Sequence, residues 1–185
     1  MNATLRPASH PRRTAARLAA VQALYAIEVS GSSAERVITD FAERHWPHGD
    51  DAAPTPVLGR KPSSAPEPEV DVSAESATDE VYLRALVEDV ILRRAQLDAA
   101  IDGALNQNWT TDRLEVLLRA ILRAGACELI VRPDVPARVV ITEYLEIAHA
   151  FYAGKEPSLV NAVLDRLATT ARGDPAHPPS GGGVG

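Results

Sequence analysis

Cysteine is almost absent from this chain. Cys127 is the only one among 185 residues, which excludes an internal disulfide and a cysteine-based zinc site. Aromatic residues are scarce, 4% of the chain against 45% for all hydrophobic types. A core must therefore come from Leu, Ile, Val and Ala, a composition that suits helix packing better than a sandwich. No run of about 18 apolar residues exists, so no transmembrane helix is expected. The N-terminal arginines have no apolar stretch directly behind them, which argues against a signal peptide. A cytoplasmic protein is the expectation that remains. No segment alternates with period two as a half-buried strand does. The expected fold class is all-α, with six or seven helices.

Acidic residues are also missing from the first 27 positions, where Arg6, Arg12, Arg13 and Arg17 stand. The formal net charge of −6 looks wrong for a nucleic-acid binder, but it is unevenly spread. Between Trp46 and Glu80 there are eight acids against two bases, Arg60 and Lys61, which accounts for the whole excess. The rest of the chain is neutral with a basic start, and that asymmetry is the useful fact.

The order of patterns divides the chain. Residues 1–10 have no periodicity and read as a flexible basic arm. A helix from Pro11 places Leu18, Val21, Leu24, Tyr25 and Val29 on one face, and Gly31 ends it. Ser33 caps a second helix to about His45, with Val37, Ile38 and Phe41 inward. Residues 47–77 carry six prolines among Ser, Ala and acids. So few large apolar side chains cannot offset ordering entropy, so this stretch reads as a disordered acidic insertion. Val81, Leu83, Leu86, Val87, Val90, Ile91, Leu97 and Ile101 fit one long helix, or two with a bend. Asp112 and Glu115 have capping-box spacing before a helix facing inward through Leu114, Leu117, Leu118, Ile121, Leu122 and Leu129. Pro133 stops that helix, and Pro136 opens the next one, which buries Ile141, Leu145, Ala148 and one of Phe151 or Tyr152. After Gly154, Pro157 opens a last helix with Val160, Val163, Leu164 and Leu167 inward. Residues 173–185 form a Gly- and Pro-rich flexible tail. Residues 11–46 and 78–172 therefore make a single helical domain.

Little in the chain suggests catalysis. Glu146 and His149 form half of a di-iron E-x-x-H pair, yet no second pair completes it. Cys127 and Glu128 are adjacent, so a helix keeps them from facing each other. There is no Gly-rich phosphate loop and no serine elbow. No cofactor and no metal are expected. The arginines are the better candidates. Arg13 and Arg17 lie four apart on a helix, with Arg12 beside them, and a guanidinium pairs with phosphate and stacks on bases. The bland alternative is an ordinary solvated helix end. Against it, positive charge at a helix N-terminus opposes the macrodipole, an arrangement easier to understand where an anion binds. Charge alone does not say whether that anion is RNA, DNA or protein. A second candidate patch is the turn holding Phe151, Tyr152, Gly154 and Lys155, where an aromatic and a cation can stack a base and touch phosphate. The alternative there is a core Phe151 and a plain surface Lys155.

Several words in the chain occur in a telling order. Arg17 to Tyr25 spells R-x-x-A-x-Q-x-L-Y. Later come ILR…EL, DVP, I-x-E with E-x-A, and VNAVLD. In this order and spacing the sequence resembles the NusB family of bacterial transcription antitermination factors, over roughly residues 12–45 and 79–171. The resemblance implies a compact bundle of two packed helical subdomains. It implies a factor of transcription antitermination and ribosomal RNA synthesis that binds single-stranded boxA RNA together with NusE, a small-subunit ribosomal protein. Contact with the transcribing RNA polymerase complex would be indirect. By the same resemblance Arg12, Arg13 and Arg17 contact RNA, with Phe151 and Lys155 nearby. Tyr25, Glu28 and Leu118 border the partner surface, although Tyr25 as a core residue stays equally open.

The chain departs from the family pattern at Thr142, Ser158, Leu159 and Ala162. Ala162 replaces a usual glycine and is expected to set the last helix slightly further from its neighbour. Two other readings stand beside this one. One is a protein-binding helical scaffold with incidental arginines. The other is a NusB-like module related to that of ribosomal RNA cytosine methyltransferases, disfavoured because no methyl-donor fold follows it. The oligomeric state stays open, a homodimer included.

Overall fold

The computed structural model describes residues 9–45, 77–105 and 110–173. Most of the expected arm, insertion and tail lies outside these residues. Seven α-helices and one 3₁₀ turn carry the described chain: α1 (Ser9–Ser30), α2 (Ala34–His45), α3 (Ala77–Leu92), α4 (Arg94–Ala104), the turn Thr111–Arg113, α5 (Val116–Val131), α6 (Ala137–Phe151) and α7 (Glu156–Arg172). No strand occurs among the described residues. No helix there is long and apolar enough to cross a membrane.

The helix ends follow local chemistry. α1 starts at Ser9, two residues before the expected Pro11, because proline is tolerated within a first turn. Gly31 closes α1 in the left-handed region, φ +67°, where a side chain would be strained. Its N–H donates to the Ile27 carbonyl at 3.0 Å. Ser33 Oγ accepts the Arg36 N–H at 3.4 Å and so caps α2. The expected capping box at Asp112 and Glu115 does not form. Residues 111–113 make the 3₁₀ turn instead, because the Asp102 carboxylate accepts from the Thr111 N–H and hydroxyl. The Glu115 carboxylate is drawn away to the Tyr152 hydroxyl.

α5 is the central shaft, with Leu118 and every residue from Ala120 to Leu129 buried. α1 and α3 pack on it from one half of the molecule, with α2 lying across them. α4, α6 and α7 pack on it from the other. α3 and α4 are distinct helices that bend at Arg93, while hydrogen bonds from Arg93 to the Asp89 carbonyl and from Leu97 to the Arg93 carbonyl bridge the bend. Leu83, Leu86, Val87 and Val90 are buried as expected, but Val81 and Ile91 are exposed and Tyr82 is turned inward. On α7, Val160, Val163, Leu164 and Leu167 are all buried.

Two close approaches matter for what the fold positions. A Cβ on Gly125 would sit 2.9 Å from Leu164 Cδ1 and 3.2 Å from Tyr144 Cδ2, so this glycine lets α5 and α7 touch. Ala162, by contrast, is exposed, so its methyl group does not push α7 from its neighbours and that expectation is corrected. Cys127 is buried in the shaft, and burial pushes its thiol up to about 12.

Candidate nucleic-acid interface

The three arginines of α1 divide by burial. Arg13 is exposed, Arg12 is half-buried, and Arg17 is 1% exposed. Arg17 therefore does not reach an RNA phosphate, which corrects the sequence expectation. Its Nε and Nη2 donate to the Glu128 carboxylate, with Nε 2.9 Å from Oε2. Its Nη1 lies 3.2 Å from Glu143 Oε2, and the Tyr144 hydroxyl donates to Glu128 Oε2 at 3.0 Å. One guanidinium thus joins α1 to α5 and α6. Burial works against its charge, but the hydrogen bond and charge of Glu128 outweigh burial and raise its pKa above the ordinary arginine value. Burial, seconded by the Glu128 charge, likewise lifts the Tyr144 phenol well above its ordinary value. Glu128 and Glu143 are the acids of the words EL and I-x-E, so two of the family words supply counter-ions.

A signal for this clamp was present in the chain. Arg17 precedes Val21 and Leu24 by four and seven residues, on the apolar stripe itself. Glu128 follows Ile121 by seven in the same way. A buried charge at such a position requires an opposite partner.

Arg13 lies above Tyr82, its guanidinium carbon 5.6 Å from the ring centroid. Arg17 at 5.8 Å and Arg132 at 4.9 Å flank the same ring. The face of an aromatic ring is electronegative and attracts each cation. Arg13 is thus presented on a rigid apolar platform, and Arg17 locks the helix that carries it.

The second patch is open to solvent. Phe151 is 42% exposed at the end of α6, and Lys155 is exposed just before α7. Of the two aromatics it is Tyr152 that packs inward, where its hydroxyl donates to Glu115. Phe151 lies eight residues beyond Glu143 along α6, about 12 Å at 1.5 Å per residue. The turn therefore stands a little over two helical turns from the Arg17 clamp. Glu146 and His149, the half-motif of the same helix, are both exposed.

The expected partner residues separate as well. Tyr25 is 41% exposed, with exposed Val29 one turn on. Leu118 is 5% exposed, a core residue and not a surface contact, which corrects the expectation. Glu28 is the hub of an ion network. It accepts from Arg119 at 2.6 Å, Arg123 at 2.7 Å and Arg94 at 3.4 Å, while Asp98 accepts from Arg123 at 2.6 and 2.8 Å. Glu28 is committed to holding α1, α4 and α5 together, which leaves Tyr25 as the accessible member of the three.

An all-helical scaffold of two packed halves, with an arginine-bearing end on α1, is the class that fold and surface define. The NusB family model matches residues 14–169, and the chain belongs to that family. It is 43% identical over 167 residues to the transcription antitermination protein NusB of Bradyrhizobium sp. (strain ORS 278), a match that covers 90% of this chain and 88% of that one. The fold is shared with T. maritima NusB at a TM-score of 0.64 and 23% identity, over 85% of this chain and 90% of that one. It is also shared with a chain in a crystal structure of antitermination factors NusB and NusE in complex with dsRNA. That TM-score is 0.63 at 20% identity, over 87% of this chain and 98% of that one.

Proposed function

We propose that this protein is a cytoplasmic factor of transcription antitermination and ribosomal RNA synthesis that binds boxA RNA together with NusE. The observation that carries this reading is its close relationship, across nearly the whole chain, to proteins named for antitermination. A structure of the same fold joining NusB, NusE and RNA supports the choice of partners. The role is binding and tethering. Arg12 and Arg13 supply affinity that falls with salt, since each neutralised phosphate releases counterions. Phe151 and Lys155 offer a stacking face and a cation to an unpaired base and its phosphate. Tyr25 belongs to a separate face that receives the protein partner.

The test is a salt titration of RNA binding. Arg12→Ala with Arg13→Ala should weaken the affinity for a single-stranded boxA-like RNA. It should also flatten the plot of log K against log salt by about 0.7 per lost contact. A double variant that binds as wild type does, with the same slope, removes α1 from the interface.

A further inference from the structure

We propose that Arg132 is a further RNA-phosphate contact, sharing the ring of Tyr82 with Arg13. The proposal rests on the reading that the N-terminal end of α1 faces RNA. It adds a residue 119 positions away in sequence.

Geometry brings the two guanidiniums together. Both lie against one ring, Arg13 at 5.6 Å and Arg132 at 4.9 Å. Their central carbons are no further apart than those two distances laid end to end. Arg132 ends α5, where a cation suits the macrodipole. Its side chain is 24% exposed, enough for part of the guanidinium to meet a ligand.

Charge distinguishes this cluster from the arginine cluster around Glu28. Around Glu28 and Asp98, Arg119 and Arg123 are paired at 2.6 to 2.8 Å. Those bonds occupy all three nitrogens of Arg123 and, with the Thr111 carbonyl, both terminal nitrogens of Arg119. Arg132 has an ion pair with Asp89 at 3.5 Å, and Arg93 is also 3.5 Å from Asp89. One carboxylate shared at that distance cannot neutralise two cations. Arg13 adds a further positive charge over the same ring. Around the ring, Arg13, Arg17, Arg93 and Arg132 stand against Glu128, Glu143 and Asp89, four cations to three carboxylates. That surplus beside a helix end read as facing RNA fits the phosphate backbone, which guanidiniums bind through paired donors.

The full-length chain and a fluorescently labelled single-stranded boxA-like RNA provide the test. Arg132→Gln should bind several-fold more weakly and lower the salt slope by about 0.7, while Arg132→Lys should keep the slope. Asp89→Asn should bind more tightly at low salt, because it releases Arg93 and Arg132 from their shared acid. A purely structural Arg132 predicts neither the changed slope nor the tighter binding. If Arg132→Gln loses helicity, Asp89→Asn carries the test alone, and unchanged or weaker binding by that variant overturns the proposal. Arg13→Ala runs in parallel. A slope lowered by Arg13→Ala but not by Arg132→Gln overturns the proposal and leaves the RNA reading standing. Slopes unchanged in both overturn the proposal and the RNA reading of this end together.

Discussion

Replacing Arg17 with alanine is expected to lower the unfolding free energy by about 3–5 kcal/mol, the usual cost of orphaning a buried charge. The side chain is 1% exposed and serves two carboxylates at once. Without it, Glu128 retains the bond from Tyr144 but no cation. Glu143, 5% exposed, sits beside it with a like charge. Domains are stable by only about 5–15 kcal/mol, so this single change would bring the protein close to unfolding. A urea titration of Arg17→Ala measures the loss. Arg17→Ala combined with Glu128→Gln, set against each single change, should recover part of it, because the acid that needed the cation is gone. The coupling in that cycle should reach about 0.5–3 kcal/mol. A loss under about 1 kcal/mol, with weakened RNA binding, would instead place Arg17 on the surface as a phosphate contact.

Tyr25→Asp is expected to reduce affinity for NusE by well over 1 kcal/mol, the scale of an interface hot spot, and to leave RNA binding by the isolated protein largely unchanged. Tyr25 is 41% exposed next to exposed Val29, so the face is apolar and reachable without unfolding. An exposed tyrosine offers a broad apolar ring and one hydrogen-bonding tip, the combination enriched at interfaces. A carboxylate there removes both and desolvates poorly. It would also stand one turn before Glu28, but a like-charge pair on a helix costs only a few tenths of a kcal/mol. Arg94, Arg119 and Arg123 already surround Glu28 and absorb negative charge. Calorimetric titration with NusE, alongside circular dichroism of the variant, measures the effect. A folded variant with unchanged affinity removes Tyr25 from the partner surface.

The helices were legible because their apolar residues recur with helical period between strong punctuation. The buried residues of α7 fall where the pattern puts them, and Gly31, Pro133 and Pro157 mark real boundaries. α3 was less legible. It carries apolar side chains on several faces, so periodicity alone does not separate exposed Val81 and Ile91 from buried Leu83, Leu86 and Tyr82. The capping residues misled for a different reason. Asp112 and Glu115 have suitable local spacing, but the deciding partners, Asp102 and Tyr152, arrive through the fold. The site divided along the same line. Exposure of Arg13, Tyr25 and Phe151 agrees with a surface role. Arg17 has the charge of its neighbours Arg12 and Arg13, but its register with Val21 and Leu24 puts it in the core. Arg132 gave no local hint, since only tertiary packing sets it beside Tyr82.

The central claim is that this chain and NusE together hold RNA. Filter binding of a boxA-like single-stranded RNA, with and without NusE and at two salt concentrations, tests it most directly. The account predicts that the isolated chain binds weakly, that NusE raises the affinity, and that both affinities fall as salt rises. Absence of RNA binding at low salt, with NusE present and the chain shown to be folded, would contradict it.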